Sequence, residues 1–286
     1  MKAMRSCYPM SLLCRVLRVS PSGYYAWLSR LPSRRSREQA RLEVAIRAAH
    51  ARARGTYGPE RLQKELQAEG LHTGVGRIKR IRRKLGIRCK QRRKFKATTN
   101  SNHRLPVAEN LLGQNFAVSR PHAVWVADIS YVPTDEGWLY LAAIKDLYTC
   151  EIVGRALSER MTKELVGRAL VQAVVAKRPP AGLIHHSDRG SQYCSHDYRK
   201  LLRQFGMKAS MSRKGNCYDN APMESFFGTL KTELVYHRRY ETRRLAMTEI
   251  TEYIDLFYNR QRRHSKLGYL SPAEFIVNNW EKRQAA

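Results

Sequence analysis

The sequence predicts an α/β arrangement, one mixed five-stranded sheet with flanking helices, preceded by an all-helical basic region. Three observations predict it. Hydrophobic periodicity is helical up to about residue 88 and turns strand-like from Val118. Beyond that point three strand-like runs follow one another, and helices then alternate with strands. Charge is unevenly divided as well: residues 1–100 carry 26 basic against 5 acidic side chains, the remaining 186 carry 27 against 19, and the 286-residue chain has a formal charge of +29.

Residues 1–34 form a helical extension, in which 8–31 read as two short helices, with Ser20 as cap and Pro21 in the first turn of the second. Its aromatics Tyr24, Tyr25 and Trp27 are expected to pack rather than to stack on bases. Leu31 to Ser36 reads as a loop. Residues 35–88 then make a helix-turn-helix-like DNA-binding domain. Leu42, Ala45, Ile46 and Ala49 mark the apolar face of its first helix, and Leu62, Leu66 and Leu71 mark the second region after Gly58-Pro59. The third helix, Thr73 to Leu85, turns Ile78, Ile81 and Leu85 to one side and crowds Arg77, Lys79, Arg80, Arg82, Arg83 and Lys84 around the rest. One face packs and the other enters a groove, as in a recognition helix; a merely solvated basic helix is the plainer alternative. Residues 89–117 are a basic linker that grades into a polar one and tracks phosphates without reading bases.

The core spans 118–240. Ala123 to Val132 reads as a strand carrying Asp128, Gly137 to Asp146 as a second joined to it by the turn from Pro133, and Cys150 to Ser158 as a third. Residues 162–176 are helical, Gly182 to His186 is a strand leading to Asp188, 195–205 is helical, and Met207 to Met211 is a fifth strand. The Arg213 to Asn216 loop precedes the helix of Glu224. The segment 241–286 is helical and basic; Arg260, Arg262, Arg263, His264 and Lys266 are expected to present another DNA surface, and Ser271-Pro272 to open a last short helix.

A positive field of this size attracts polyanions, nucleic acid first among them, through phosphate neutralisation and counterion release. The six cysteines show neither a CxxC pair nor zinc-like spacing and read as free thiols of a reducing compartment. Arg15 interrupts the opening apolar run before a secretory core forms, and no stretch approaches a membrane span, so a cytoplasmic protein is expected.

Three carboxylates delivered from separate elements, Asp128, Asp188 and Glu224, suggest a divalent-metal site for phosphate chemistry, since hard cations such as Mg2+ take oxygen ligands. Asp146, Asp219 and Glu233 compete for the same role. Asp146 marks a strand end near the site, and Glu233, nine positions beyond Glu224, points away from it on an ideal helix. Lys231, seven positions after Glu224, shares its face and is read either as a DNA contact or as a solvated lysine. Asn220, four before Glu224, caps the helix or orients a phosphate, capping being the first reading. Of His185 and His186, strand alternation lets only one face the site, and packing or support of a ligand is expected of both.

WVADISYV, HHSDRGSQY, NAPMESFFGTLKTE and YNRQRRHSKLGYLSPAEF resemble signature segments of the second-frame transposase of the IS-three group of bacterial insertion sequences. The 35 residues between Asp188 and Glu224 resemble the spacing of the retroviral-integrase-like core. VLRVSPSGYYAWLSR and RGTYGPERLQKEL are similar to that group's helical N-terminal region, so the resemblance covers nearly the whole chain. It implies an RNase-H-like fold in which Asp128, Asp188 and Glu224 hold two Mg2+ ions, Mn2+ being a possible substitute, with Asp128 bridging both. It further implies DNA cleavage and strand transfer at terminal repeats, with water or a DNA 3′-hydroxyl as nucleophile. Double-stranded DNA, further copies of the chain and an upstream-frame product, fused or separate, are the implied partners. Two rivals stand beside it: a non-catalytic DNA-binding relic or regulator, and a nuclease of the same fold that cuts without joining.

Overall fold

A computed structural model describes residues 1–90, 106–214 and 216–284. Most of the basic run expected to track phosphates, 91–105, lies outside the described residues, as does Gly215. The N-terminal helices are α1 (Met10–Val16), α2 (Pro21–Ser29), α3 (Arg34–Arg52), α4 (Pro59–Ala68) and α5 (Val75–Lys84). The expected loop at Leu31 to Ser36 is shorter than read, because Ser33 accepts a hydrogen bond from the Ser36 amide at 3.2 Å and starts α3 at Arg34. Tyr24 is buried as expected, but Tyr25 and Trp27 are each 56% exposed, which corrects their reading as packing residues.

The core follows as β1 (Val124–Thr134), β2 (Gly137–Asp146), β3 (Ile152–Ser158), α6 (Lys163–Lys177), β4 (Ile184–Ser187), α7 (Ser191–Cys194), α8 (His196–Gln204), β5 (Lys208–Met211) and α9 (Ala221–Glu233). The chain ends in α10 (Arg243–Glu252), a π-helical continuation over Tyr253–Tyr258, and α11 (Pro272–Gln284), which is longer than the short helix expected there.

The strands form one mixed sheet in the order β3-β2-β1-β4-β5. β1, β2 and β3 run antiparallel as a meander, whereas β4 and β5 lie parallel to β1. This is the mixed five-stranded sheet with flanking helices that the sequence predicts. Alternation along β1 divides its side chains between two cores. Val124, Val126 and Val132 join Met223, Phe226 and Leu230 of α9, while Trp125 and Ala127 join Leu165, Ala169 and Leu170 of α6. Helix α6 lies close on β3 because Gly154 has no side chain: a Cβ there would stand 2.3 Å from the Ala169 carbonyl oxygen and 2.7 Å from the Ala173 Cβ.

The helical region shares the α9-side core. Ile46, Leu62, Leu66 and Ile78 belong to the same cluster as Phe257 and Tyr258. Polar contacts reinforce the seam, with Arg54 2.7 Å from Glu252 and the Tyr57 hydroxyl donating to the Gln261 carbonyl at 3.1 Å while accepting from the Arg263 amide at 2.8 Å. The described end of the expected linker also docks: Leu112 is buried, and the Leu111 amide donates to Ser210 Oγ at 2.9 Å. Among the described residues, Cys7, Cys14, Cys89, Cys150 and Cys194 are free thiols, and no helix is long and apolar enough to cross a membrane.

Candidate active site

The last register pair between β1 and β4 is Ala127 with Ser187. One step further, Asp128 stands beside Asp188, at the C-terminal end of β4 where open α/β sheets form their crevices. Alternation turns Asp128 to the side of Val126, the side on which α9 packs and brings Glu224 in its first turn. The Asp128 carboxylate accepts from its neighbour's amide, Ile129 N, at 2.7 Å, and Asp188 accepts from Gly190 N at 2.9 Å.

Burial raises the Asp128 carboxyl well above the ordinary carboxylate range, and the nearby charges of Asp188 and Glu224 raise it further, against the Ile129 amide and Lys231. Glu224 is raised too, by desolvation. Lys231 lies with its ammonium 4.8 Å over the Tyr131 ring; burial lowers its pKa, and Asp128 opposes the shift. Its place is thus between the Tyr131 ring and the charge of Asp128.

The competing carboxylates are occupied. Asp146, fully buried, accepts from His122 N at 2.7 Å, Trp125 Nε1 at 3.2 Å and Thr149 N at 2.8 Å. Burial works against its charge, but the His122 and Thr149 hydrogen bonds prevail and hold its pKa low. It pairs in register with Trp125, three positions before Asp128, and so closes the turn after β2 instead of serving the site. Asp219 is clamped by Arg213 at 3.0 Å, Asn110 at 2.9 Å and Gln114 at 2.8 Å, and the Arg213 hydrogen bond first of all holds it far below the usual range. Glu233 meets Arg262 at 2.8 Å and the Tyr253 hydroxyl at 2.7 Å.

Asn220 does not cap α9 with its side chain. Its Nδ2 donates to the Ala127 carbonyl at 3.2 Å and ties the start of α9 to the strand residue before Asp128. His185 and His186 are buried, on opposite sides of the sheet by alternation. His185 Nε2 is 3.0 Å from the Tyr198 hydroxyl, and His186 bonds Ser210 and Ser212 at 2.8 and 3.2 Å. Burial pushes them down to about 3 and about 4, so both are neutral at pH 7 and add no charge to the site.

The donor set suits a hard divalent cation: three carboxylates, all oxygen, one of them raised by burial and then by the charges of the other two. Among the described residues no three His, Cys, Asp or Glu side chains stand close enough to hold an ion.

On α5, Ile78 and Ile81 are buried while Lys79, Arg80, Arg83 and Lys84 are exposed, as the recognition-helix pattern expects. Arg77 and Arg82 are half-buried, Arg77 donates to Gln39 at 3.2 Å, and Lys84 pairs with Glu43 at 2.6 Å. The tail differs from expectation. Arg262 is 6% exposed and gripped by Glu233, and Arg263 pairs with Glu65 at 2.6 Å. His264 is buried edge-on to Tyr258 at 4.8 Å, its pKa pushed to about 2 by burial and then by Arg262 and Lys145. These three do not form the DNA surface expected of them, because acidic partners distant in sequence draw Arg262 and Arg263 inward and His264 packs against the Tyr258 ring.

Comparison with known proteins agrees with this architecture. Family models described as integrase core domain match residues 118–217 and 224–278, and one described as HTH-like domain matches 36–95. The chain is 62% identical over 263 residues to the "insertion element IS600 uncharacterized 31 kDa protein" of Shigella sonnei, covering 92% of this chain and 97% of that one. It is 42% identical over 274 residues to the transposase InsF for insertion sequence IS3A of Escherichia coli strain K12, covering 95% of each. Among solved structures, the HTLV-2 integrase catalytic core domain in complex with magnesium aligns with a TM-score of 0.43 at 13% identity, over 54% of this chain and 96% of that one.

Proposed function

The chain belongs to the IS3 family of transposases, built from an HTH-like domain and an integrase core, and from that premise we propose that it cleaves and joins DNA strands at the terminal repeats of its element. The observation that carries the reading is the contrast among carboxylates: Asp128 and Glu224 have raised pKa values, while Asp146 and Asp219 are lowered by their partners.

Asp128, Asp188 and Glu224 are the proposed ligands of two Mg2+ ions, with Mn2+ as a substitute. Such ions, when bound, activate an attacking oxygen and neutralise the leaving one in an in-line displacement at phosphorus. The side chains themselves supply the rest. Asp128, Asp188 and Glu224 concentrate negative charge that favours cation entry, and Asn220 fixes the start of α9 against β1. Lys231, which feels the charge of Asp128, is the proposed contact to a DNA phosphate there. No protein nucleophile is required. The oxygen of water, or of a DNA 3′-hydroxyl, forms the new bond to phosphorus, and the 3′-oxygen of the attacked phosphodiester departs with the electron pair. Water as attacker gives cleavage, and a 3′-hydroxyl gives joining.

Lys79, Arg80, Arg83 and Lys84 of α5, with the half-buried Arg77 and Arg82, are the proposed DNA contacts of the HTH-like domain. Two ends must be brought together, so the protein acts as a multimer on DNA in the cytoplasm, with the upstream-frame product as fusion or partner. The test is incubation with labelled terminal-repeat DNA and Mg2+, with and without that product. Asp188→Asn should lower cleavage and joining by at least about 10³-fold, corresponding to several kcal/mol of lost transition-state stabilisation, while leaving DNA affinity within about twofold. Cleavage at the parental rate in that variant overturns the reading. Cleavage without joining by the parent, even with the upstream product, assigns a nuclease instead.

A further inference from the structure

The HTH-like family match begins at residue 36 and leaves α1 and α2 unassigned. These two helices have a helix-turn-helix build of their own. A seven-residue helix, a four-residue turn from Leu17 to Ser20 and a nine-residue helix follow one another, and the chain reverses through Arg18 at φ 51°. Ser20 Oγ accepts from the Gly23 amide at 3.1 Å, and Pro21 opens α2, so the start of the second helix is sharply defined. The helices pack on each other, and their buried residues, Leu13, Cys14 and Tyr24, belong to neither of the two larger cores.

Helical spacing turns Tyr24 and the partly buried Leu28 inward and turns Ser22, Ala26 and Ser29 outward. The outward face is therefore made of small residues, as close approach to a groove requires. Tyr25 and Trp27 flank it, each 56% exposed. Residues 1–37 contain eight basic side chains and no acidic one, the first being Glu38, and Arg15, Arg18 and Arg30 are exposed around the hairpin.

The geometry points to a second DNA-binding module at residues 10–30, in which the Ser22, Ala26 and Ser29 face of α2 enters the major groove of a duplex and Arg15 and Arg30 meet its phosphates. Exposed Leu12 and Val16 would also suit a protein partner. The wholly one-signed charge and the small outward face of α2 favour a duplex.

The experiment uses the full chain and a labelled random-sequence DNA duplex, with binding followed by fluorescence anisotropy across a salt series. Ser22→Glu/Ala26→Glu places two negative charges on the outward face and should weaken binding about tenfold or more. The same charges on the exposed side of α6, Val171→Glu/Val175→Glu, should leave affinity within about twofold. Arg15→Ala/Arg30→Ala should reduce the salt slope by about 2, near 0.9 per lost phosphate contact. Equal losses in the α2 and α6 variants would reduce the effect to general charge and overturn the module. So would an unchanged salt slope in the arginine variant, or a change in sedimenting mass by the α2 variant without a change in DNA affinity, which would make the hairpin a protein-docking surface.

Discussion

The two ends of α9 hold acid in opposite ways. At its first turn Glu224 adds its charge to that of Asp188 on the Asp128 carboxyl, which burial first of all raises well above the carboxylate range, against the opposing charge of Lys231. At its last turn Glu233, 7% exposed, receives Arg262 in a two-pronged contact at 2.8 and 2.9 Å and the Tyr253 hydroxyl at 2.7 Å, with Arg61 3.9 Å away. One residue type on one helix thus adds to an acidic cluster at one end and closes a paired network at the other. The first costs stability until a cation arrives. The second joins α4, α9 and the segment after the π-helix into one body.

The largest effect should come from opening the closed end. Glu233→Ala leaves Arg262 buried without its anion and should destabilise the protein by about 3–5 kcal/mol, measured by denaturant unfolding. If the loss is under 1 kcal/mol, the two ends do not differ as described.

A smaller effect of opposite sign is expected at the other end. Because the folded-state pKa of Asp128 is raised above its unfolded value, the cost of its charge is absent below the unfolded pKa near 3.8 and grows until pH passes the raised folded pKa. Without divalent cation, Asp128→Asn should therefore raise the melting temperature at pH 7 and flatten its fall across that window. Mg2+ should stabilise the parent by about 2.7 kcal/mol at a hundredfold excess over its dissociation constant, and Asp128→Asn much less. A variant that melts below the parent without cation would show that Asp128 is already satisfied. The smallest change should be Asn220→Ala, which loses one hydrogen bond between α9 and β1 and should cost about 0.5–1.5 kcal/mol by thermal unfolding. A cleavage loss well beyond that cost would make Asn220 a positioning residue of the site.

Much of the core was legible because its signals are local. The β2 limits agree with alternation and its flanking turn, α6 and α8 lie within a residue of their expected spans, and β4 and β5 are displaced by one or two. The segments carrying Asp128, Asp188 and Glu224 were legible as motifs, and the sheet register now sets the first two side by side. What stayed hidden depends on distant partners. Arg262 and Arg263 read as a surface charge run, because nothing local reveals that Glu233, 29 residues earlier, and Glu65, 198 earlier, draw them inward. Asn220 had the composition of a cap, but β1 offered a better acceptor in the Ala127 carbonyl. Tyr25 and Trp27 looked like core by residue type, yet the hairpin that carries them is too small to enclose three rings.

The contacts around Tyr57 also impose an order on synthesis. Tyr57 and Glu65 emerge from the ribosome with the helical region, but their partners Gln261 and Arg263 are made some two hundred residues later. A nascent chain must carry α3 to α5 through translation of the entire sheet before the seam closes. A message truncated ahead of Gln261 would therefore yield basic helices still held by the shared apolar core and the Arg54–Glu252 pair but without the Tyr57 and Glu65 contacts, so the last stretch translated completes the seam.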